Sequence, residues 1–90
     1  MTYYLYIIQS EKKDIYYIGS SGNPCRRLFY HNSESKGFTK QFRPWKLIYT
    51  QSFESKSSAL KAENRVKAWK SKKMIRLLIN HTINIHDYIN

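Results

Sequence analysis

Two phenols, a guanidinium and an imidazole fall between positions 6 and 31 of this chain: Tyr6, Tyr17, Arg27 and His31, with the carboxylate of Glu63 further on. Cutting a phosphodiester needs an activated water or other nucleophile and positive charge against the developing phosphorane. Usually it also needs a metal ion at the leaving oxygen. Tyr6 or Tyr17 can act as general base if a nearby cation or metal-bound water brings its pKa below the ordinary value of about 10. The planar fork of Arg27 matches phosphate geometry and stays charged at any relevant pH. His31, four residues after Arg27, lies on the same helical face and can orient a tyrosine or relay a proton. Glu63 offers the hard oxygen that Mg2+ prefers, with water and phosphate oxygens completing the shell. Each residue also has a plainer use: strand tyrosines pack, a helical arginine is solvated, and Glu63 can pair with Lys67 at i,i+4 for about 0.3–0.5 kcal/mol.

The charge balance points to a partner class. Sixteen Lys+Arg against six Asp+Glu leave a net charge of +10, which favours a polyanion through counterion release and steering. A generically basic soluble protein has the same totals, so position decides. Lys36, Lys40, Arg43 and Lys46 cluster before the third predicted strand, interleaved with Phe38, Phe42 and Trp45. Such a segment can track a phosphate backbone and stack on unpaired bases, giving affinity without sequence preference. The lysines further on, from Lys56 to Lys73, read as a solvated helical face. A single cysteine, Cys25, excludes an intramolecular disulfide framework and a Cys-based zinc site. It reads as a small half-buried side chain without a role. The longest apolar run is too short to span a bilayer and the N-terminus lacks signal-peptide character, so the expected location is cytoplasmic, with no membrane partner.

Residues 1–90 are expected to form one domain, since 41% hydrophobic residues, 16% of the chain being aromatic, can furnish one small core. Residues 3–8 and 15–19 read as a hairpin whose turn centres on Glu11-Lys12, setting Tyr6 opposite Tyr17. Asn23-Pro24 reads as an N-cap with proline at the first helical position, opening a helix to about Asn32. Phe38 to Pro44 reads as a basic loop. Trp45 to Ser52 reads as a third strand with Leu47 and Tyr49 on one face and Ile48 on the other. Hydroxyl caps at Ser55–Ser58 precede Ala59, Ala62, Val66 and Trp69 at helical spacing, which places Glu63 at the edge of the apolar stripe. A further helix is expected from Ser71, burying Met74, Leu77 and Leu78, then a tail over 81–90 with Ile83, Ile85, Tyr88 and Ile89 available to pack.

Tyr4-Leu5-Tyr6 is followed by Tyr17-Ile18-Gly19, with Arg27 ten residues after Tyr17 and His31 four beyond that. This pattern resembles the GIY-YIG nuclease superfamily. The likeness continues through Arg43-Pro44-Trp45-Lys46-Leu47 and Glu63 to Trp69-Lys70-Ser71-Lys72-Lys73. It is most similar to the small stand-alone, single-domain branch found in bacteria. The resemblance implies an α/β fold of α+β type, with a small central three-stranded antiparallel sheet flanked by helices. It also implies metal-dependent hydrolysis of DNA at one active site using Mg2+ or Mn2+. Carried over by position, Tyr6 and Tyr17 are the motif tyrosines, either of them the base, and Gly19 is the structural glycine. Arg27 is then the phosphate-binding arginine, His31 the helical partner and Glu63 the metal ligand.

Two departures stand out. The first motif reads Tyr-Leu-Tyr, which keeps the functional tyrosine. Ser20 stands where some relatives carry a lysine able to lower a phenol pKa, which gives more weight to metal-bound water or His31.

The expected function is a metal-dependent endonuclease hydrolysing DNA phosphodiester bonds, on branched, damaged or single-stranded substrates. DNA is the expected partner, with RNA left open, no small-molecule cofactor, and a monomer or weak dimer. The alternatives are a nucleic-acid-binding module of the same fold with little or no cleavage, and an adaptor for a larger repair protein. Pure binding would not require an acidic residue in a basic cleft, which favours the nuclease.

Overall fold

Along the first strand Leu5 and Ile7 point to one side and Tyr6 and Ile8 to the other, and all four are buried. A strand covered on both faces belongs in the middle of a sheet with a layer on each side. The computed structural model describes residues 2–89; Met1 and Asn90, the outer ends of the expected domain and tail, lie outside the described residues. The chain runs β1 (Tyr3–Ser10), β2 (Tyr16–Ser21), α1 (Pro24–Ser33), α2 (Phe38–Gln41), β3 (Trp45–Phe53), α3 (Lys56–Trp69) and α4 (Lys72–Ile79), then a 3-10 turn over Ile85–Asp87. The sheet is antiparallel, in the order β2-β1-β3. This is the expected α+β architecture.

One face of the sheet presents Leu5, Ile7, Tyr49 and Phe53 to Ala59, Ala62 and Val66 of α3, Ile75 and Leu78 of α4, and Ile85. The other presents Tyr6, Ile8 and Trp45 to Leu28 of α1 and to Phe42 just after α2. Segment 38–44, expected as a loop, thus contains a short helix whose following residue reaches the core. The buried centre of α4 is Ile75 with Leu78, while Met74 and Leu77 are only half-buried. Side-chain caps start the longer helices where the sequence predicts: Asn23 Oδ1 accepts from Arg26 N, Ser55 Oγ from Ser58 N and Ser71 Oγ from Met74 N. Among the described residues no helix is long and apolar enough to cross a membrane.

Two details of register differ from expectation. Tyr6 pairs with Gly19, and it is Ile8 that faces Tyr17. The cause is the hairpin loop: Ser10 N donates to the Ile15 carbonyl, and Ser10 Oγ accepts from the amides of Lys12 and Lys13, which moves the turn one residue along. A shift of one residue at the turn moves every pairing by two, so Tyr6 and Tyr17 stay on the same face as diagonal neighbours. The second difference is a bulge. Ile7 faces Tyr49 and Ile8 faces Leu47, leaving Ile48 extra. Leu47 therefore joins the Tyr6 face and Tyr49 the opposite one, because one inserted residue reverses the alternation.

The glycine of the Tyr17-Ile18-Gly19 run has a steric cause. A Cβ at position 19 would lie 2.5 Å from Tyr6 Oη and 2.6 Å from Cζ, so the tyrosine occupies the space a side chain would fill. Gly19 does not have a positive φ, so an alanine there is strained by the ring alone. Gly19→Ala should destabilise the protein by about 1–3 kcal/mol, the usual penalty for overpacking a core. In a Tyr6→Leu background the same change should cost much less, a coupling that urea unfolding of the four proteins measures. Equal costs in both backgrounds would contradict this account.

Candidate active site

The spacing of Arg27 and His31 places both on one face of α1, and α1 lies over the sheet face that carries Tyr6 and Tyr17. His31 is 2% exposed, and its Nε2 lies 3.0 Å from Tyr6 Oη. The ring of Tyr17 is 4.6 Å from the His31 ring and 6.5 Å from that of Tyr6, centroid to centroid. Arg27 sits nearer the surface, its guanidinium 4.6 Å over the Tyr30 ring. Among the described residues no carboxylate pairs with Arg27. Tyr17, Arg27, Tyr30, His31, Lys36 and Phe38 line a cleft of 230 Å³. Tyr6, 1% exposed, lies behind them.

A polar web fixes the C-terminal end of α1 and with it His31. Asn32 Nδ2 donates to the Trp45 carbonyl at 3.0 Å, while the Trp45 amide donates to Asn32 Oδ1 at 2.6 Å, so the amide side chain pairs with β3 as a strand would. Arg43 Nε donates to the His31 carbonyl at 2.8 Å, and Arg43 Nη2 to the Ser35 carbonyl at 2.6 Å. A cation here satisfies carbonyls that the end of a helix leaves without partners. Arg43 is thereby committed within the fold, unlike the exposed Lys36, Lys40 and Lys46 with which it was grouped. Trp45 is likewise buried and donates Nε1–H to the Thr39 carbonyl, and Phe42 is half-buried. Of the three aromatics expected to stack on bases, Phe38 alone is exposed. Cys25, expected half-buried, is exposed as well.

The electrostatics separate the two titratable partners. Burial, with the cations of Arg27 and Arg43 nearby, lowers the His31 pKa from 6.5 to about 4, so the imidazole is neutral at physiological pH. Its Nδ1 is buried without a hydrogen-bond partner among the described residues. Nε2 and Tyr6 Oη share one hydrogen bond, in which the imidazole tautomer sets which of the two donates. Burial pushes the Tyr6 phenol above its ordinary value, and the nearby Arg27 only partly opposes it. The site therefore lacks the lowered Tyr6 pKa that general-base action calls for in the absence of a further cation.

Glu63 approaches from the other layer. Ser20 faces Leu5 in the β-ladder and so points to the α3 side, where its Oγ donates to Glu63 Oε1 at 2.6 Å. Lys67 Nζ holds Oε2 at 2.5 Å, the plainer i,i+4 pairing. The carboxylate is still close enough to contribute to the upward shift of the Tyr6 pKa. Tyr6, Tyr17, Arg27 and His31 thus form one cluster, with Glu63 at its border beside Gly19-Ser20. The positioning roles of Asn32 and of Ser20 carry no signal in residue spacing, because their partners are remote in sequence.

A depressed imidazole pKa makes a definite contribution to stability. Its share is fully present above pH 6.5 and is lost as pH falls toward about 4, because the unfolded chain takes up the proton first. Wild-type unfolding free energy should therefore decline across this window more steeply than that of His31→Gln, as chemical denaturation at stepped pH measures. His31 imidazole NMR shifts should show no midpoint near 6.5; finding one there would refute the buried neutral state.

A family model described as the GIY-YIG catalytic domain matches residues 2–76. Structure-specific endonuclease subunit SLX1 of Phaeosphaeria nodorum is 42% identical over 67 residues, which is 68% of this chain and 18% of that protein. A UPF0213 protein of Staphylococcus saprophyticus is 31% identical over 77 residues, 84% of this chain and 93% of its own length. The solution NMR structure of a UPF0213 protein from Bacillus halodurans superposes with a TM-score of 0.56 at 28% identity, covering 89% of this chain and 84% of that one. The chain thus spans under a fifth of the SLX1 protein and nearly all of the staphylococcal one. Matched by its family model over most of its length, the chain belongs to the GIY-YIG family.

Proposed function

We propose that residues 1–90 act as one nuclease unit, 81–90 as its tail, and hydrolyse DNA phosphodiester bonds with Mg2+ or Mn2+. The observation that carries this reading is Arg27, a cation without a carboxylate partner among the described residues, in the same cleft as Tyr17 and in front of the Tyr6–His31 pair. A phosphate oxygen seats against the guanidinium, which neutralises charge as the phosphorane develops. Tyr17 is the phenol that reaches the cleft, so it is the better placed of the two to take the proton of the attacking water. Tyr6, held by neutral His31, orients the site from behind. The relatives named structure-specific endonuclease subunit support a branched or otherwise structured DNA substrate.

The donor set fits a hard divalent cation. Among the described residues there is no group of three or more His, Cys, Asp or Glu that could form an all-protein cage. Mg2+ characteristically binds one or two carboxylates and keeps water and substrate phosphate as its other ligands. Glu63 is a suitable ligand, and its carboxylate already draws the cation of Lys67. When bound, such an ion supplies positive charge at the leaving oxygen.

The test is cleavage of linear, nicked, branched and single-stranded DNA, with Mg2+ or a chelator, by wild type, Glu63→Ala, Arg27→Ala and Tyr17→Phe. Each variant should lose about 10²-fold or more in rate, the scale of a lost charge-stabilising donor or general base. Equal nicking by all four proteins would sink the assigned site. Binding without metal-dependent cutting on any substrate would favour the binding-module alternative.

A further inference from the structure

Phe38 is half in water, at 50% exposure, on the rim of the cleft that holds Tyr17, Arg27 and His31. An isolated exposed aromatic is ordinary; one packed on two further aromatics beside cations that pair with no carboxylate among the described residues is not. The ring is backed by Phe42 at 5.1 Å and Trp45 at 6.3 Å, centroid to centroid. The preceding residue, Gly37, caps α2 with φ at 73°, a conformation that favours glycine and aims the chain so that α2 begins at Phe38. Lys36 lines the same cleft, Lys40 is exposed one turn of chain further on, and neither pairs with a carboxylate among the described residues. Across the cleft Arg27 covers the Tyr30 ring and Tyr17 packs against His31, so among the described residues lining this cleft Phe38 is the most exposed aromatic ring.

We propose that Phe38 stacks on an unpaired DNA base adjoining the phosphate seated at Arg27, so that the site takes its substrate as a single-stranded or splayed nucleotide. The inference rests on the nuclease reading for the position of that phosphate. The chemistry favours an unpaired base for a simple reason: in a duplex both faces of each base are already stacked, whereas a free base offers its face to any aromatic ring. Positive charge along the rim then holds the flanking phosphates. Charge without the ring would favour duplex, the denser polyanion, so the ring is what discriminates.

The test is fluorescence anisotropy with a labelled oligonucleotide, presented single-stranded or as a blunt duplex of the same sequence. It uses the full chain in a chelator so that nothing is cut. Phe38→Ala should weaken single-strand binding about fivefold or more, the lower end of what one stacked base contributes, with duplex binding changed by less than about twofold. Phe38→Leu, which keeps apolar contact with Phe42 and Trp45 but has no aromatic face, should behave like Phe38→Ala, and Phe38→Trp should bind like wild type. Equal losses on both substrates, no loss on either, or no single-strand binding by wild type would each overturn the proposal. The nuclease reading is judged separately by adding Mg2+ to wild type. Cutting with no Phe38 effect refutes the stacking alone, and a selective Phe38 effect with no cutting on any substrate refutes the nuclease alone.

Discussion

The ring of Tyr6 lies against a strand position that has no side chain, and the rest of the site depends on that contact. Position 19 must be glycine because the phenol occupies the space of its Cβ. The phenol in turn must be there because it ends at the imidazole of His31. Tyr6 is therefore a core residue whose polar end belongs to the site, an amphipathic use that suits tyrosine better than phenylalanine or a smaller polar residue. Stability and function are coupled at this point: the side chain that fills the space between sheet and α1 also orients the groups facing the cleft.

Holding His31 in place takes more than helix packing. At the end of α1 the His31 carbonyl accepts from Arg43 Nε and from the Ser35 hydroxyl, Thr39 Oγ1 donates to that same hydroxyl, and Asn32 ties the helix end to the backbone of Trp45 on β3. Burial keeps His31 neutral, and the cations that support the helix end and line the cleft act in the same direction. A charged imidazole would sit beside two guanidiniums in a buried place, so the histidine acts as a fixed hydrogen-bonding group with little capacity to store protons. The positive charge facing solvent is left to Arg27 and the exposed lysines, where an incoming anion can use it.

The two layers flanking the sheet divide the work. The α3/α4 side supplies most of the apolar core, with Leu5, Ile7, Val66 and Leu78 all fully buried. The α1/α2 side has a smaller core around Tyr6, Ile8 and Trp45 and gives its remaining surface to polar and aromatic groups. Glu63 bridges the two: it stands on the larger layer, is held by Ser20 of the edge strand, and is felt by the phenol on the other face.

Local chemistry made the element order legible in the sequence. Period-two strands, Asn23-Pro24, the serine caps and the spacing of Ala59, Ala62 and Val66 are short-range signals, and they placed three strands and the longer helices. The i,i+4 relation of Arg27 to His31 and the edge position of Glu63 were legible for the same reason, since a helix repeats at fixed intervals. Tertiary structure alone decided the hairpin register, the bulge that sends Leu47 and Tyr49 to opposite faces, the short helix α2, and the commitment of Arg43 and Trp45 to the interior. Each of these depends on partners distant in the chain: Ser10 Oγ donating to the Phe42 carbonyl from the hairpin loop, Ile7 and Ile8 choosing partners on β3, the end of α1 calling for a cation. The family pattern marked Gly19 in the sequence, but its physical cause, a phenol arriving from the neighbouring strand, exists only once that strand is paired beside it.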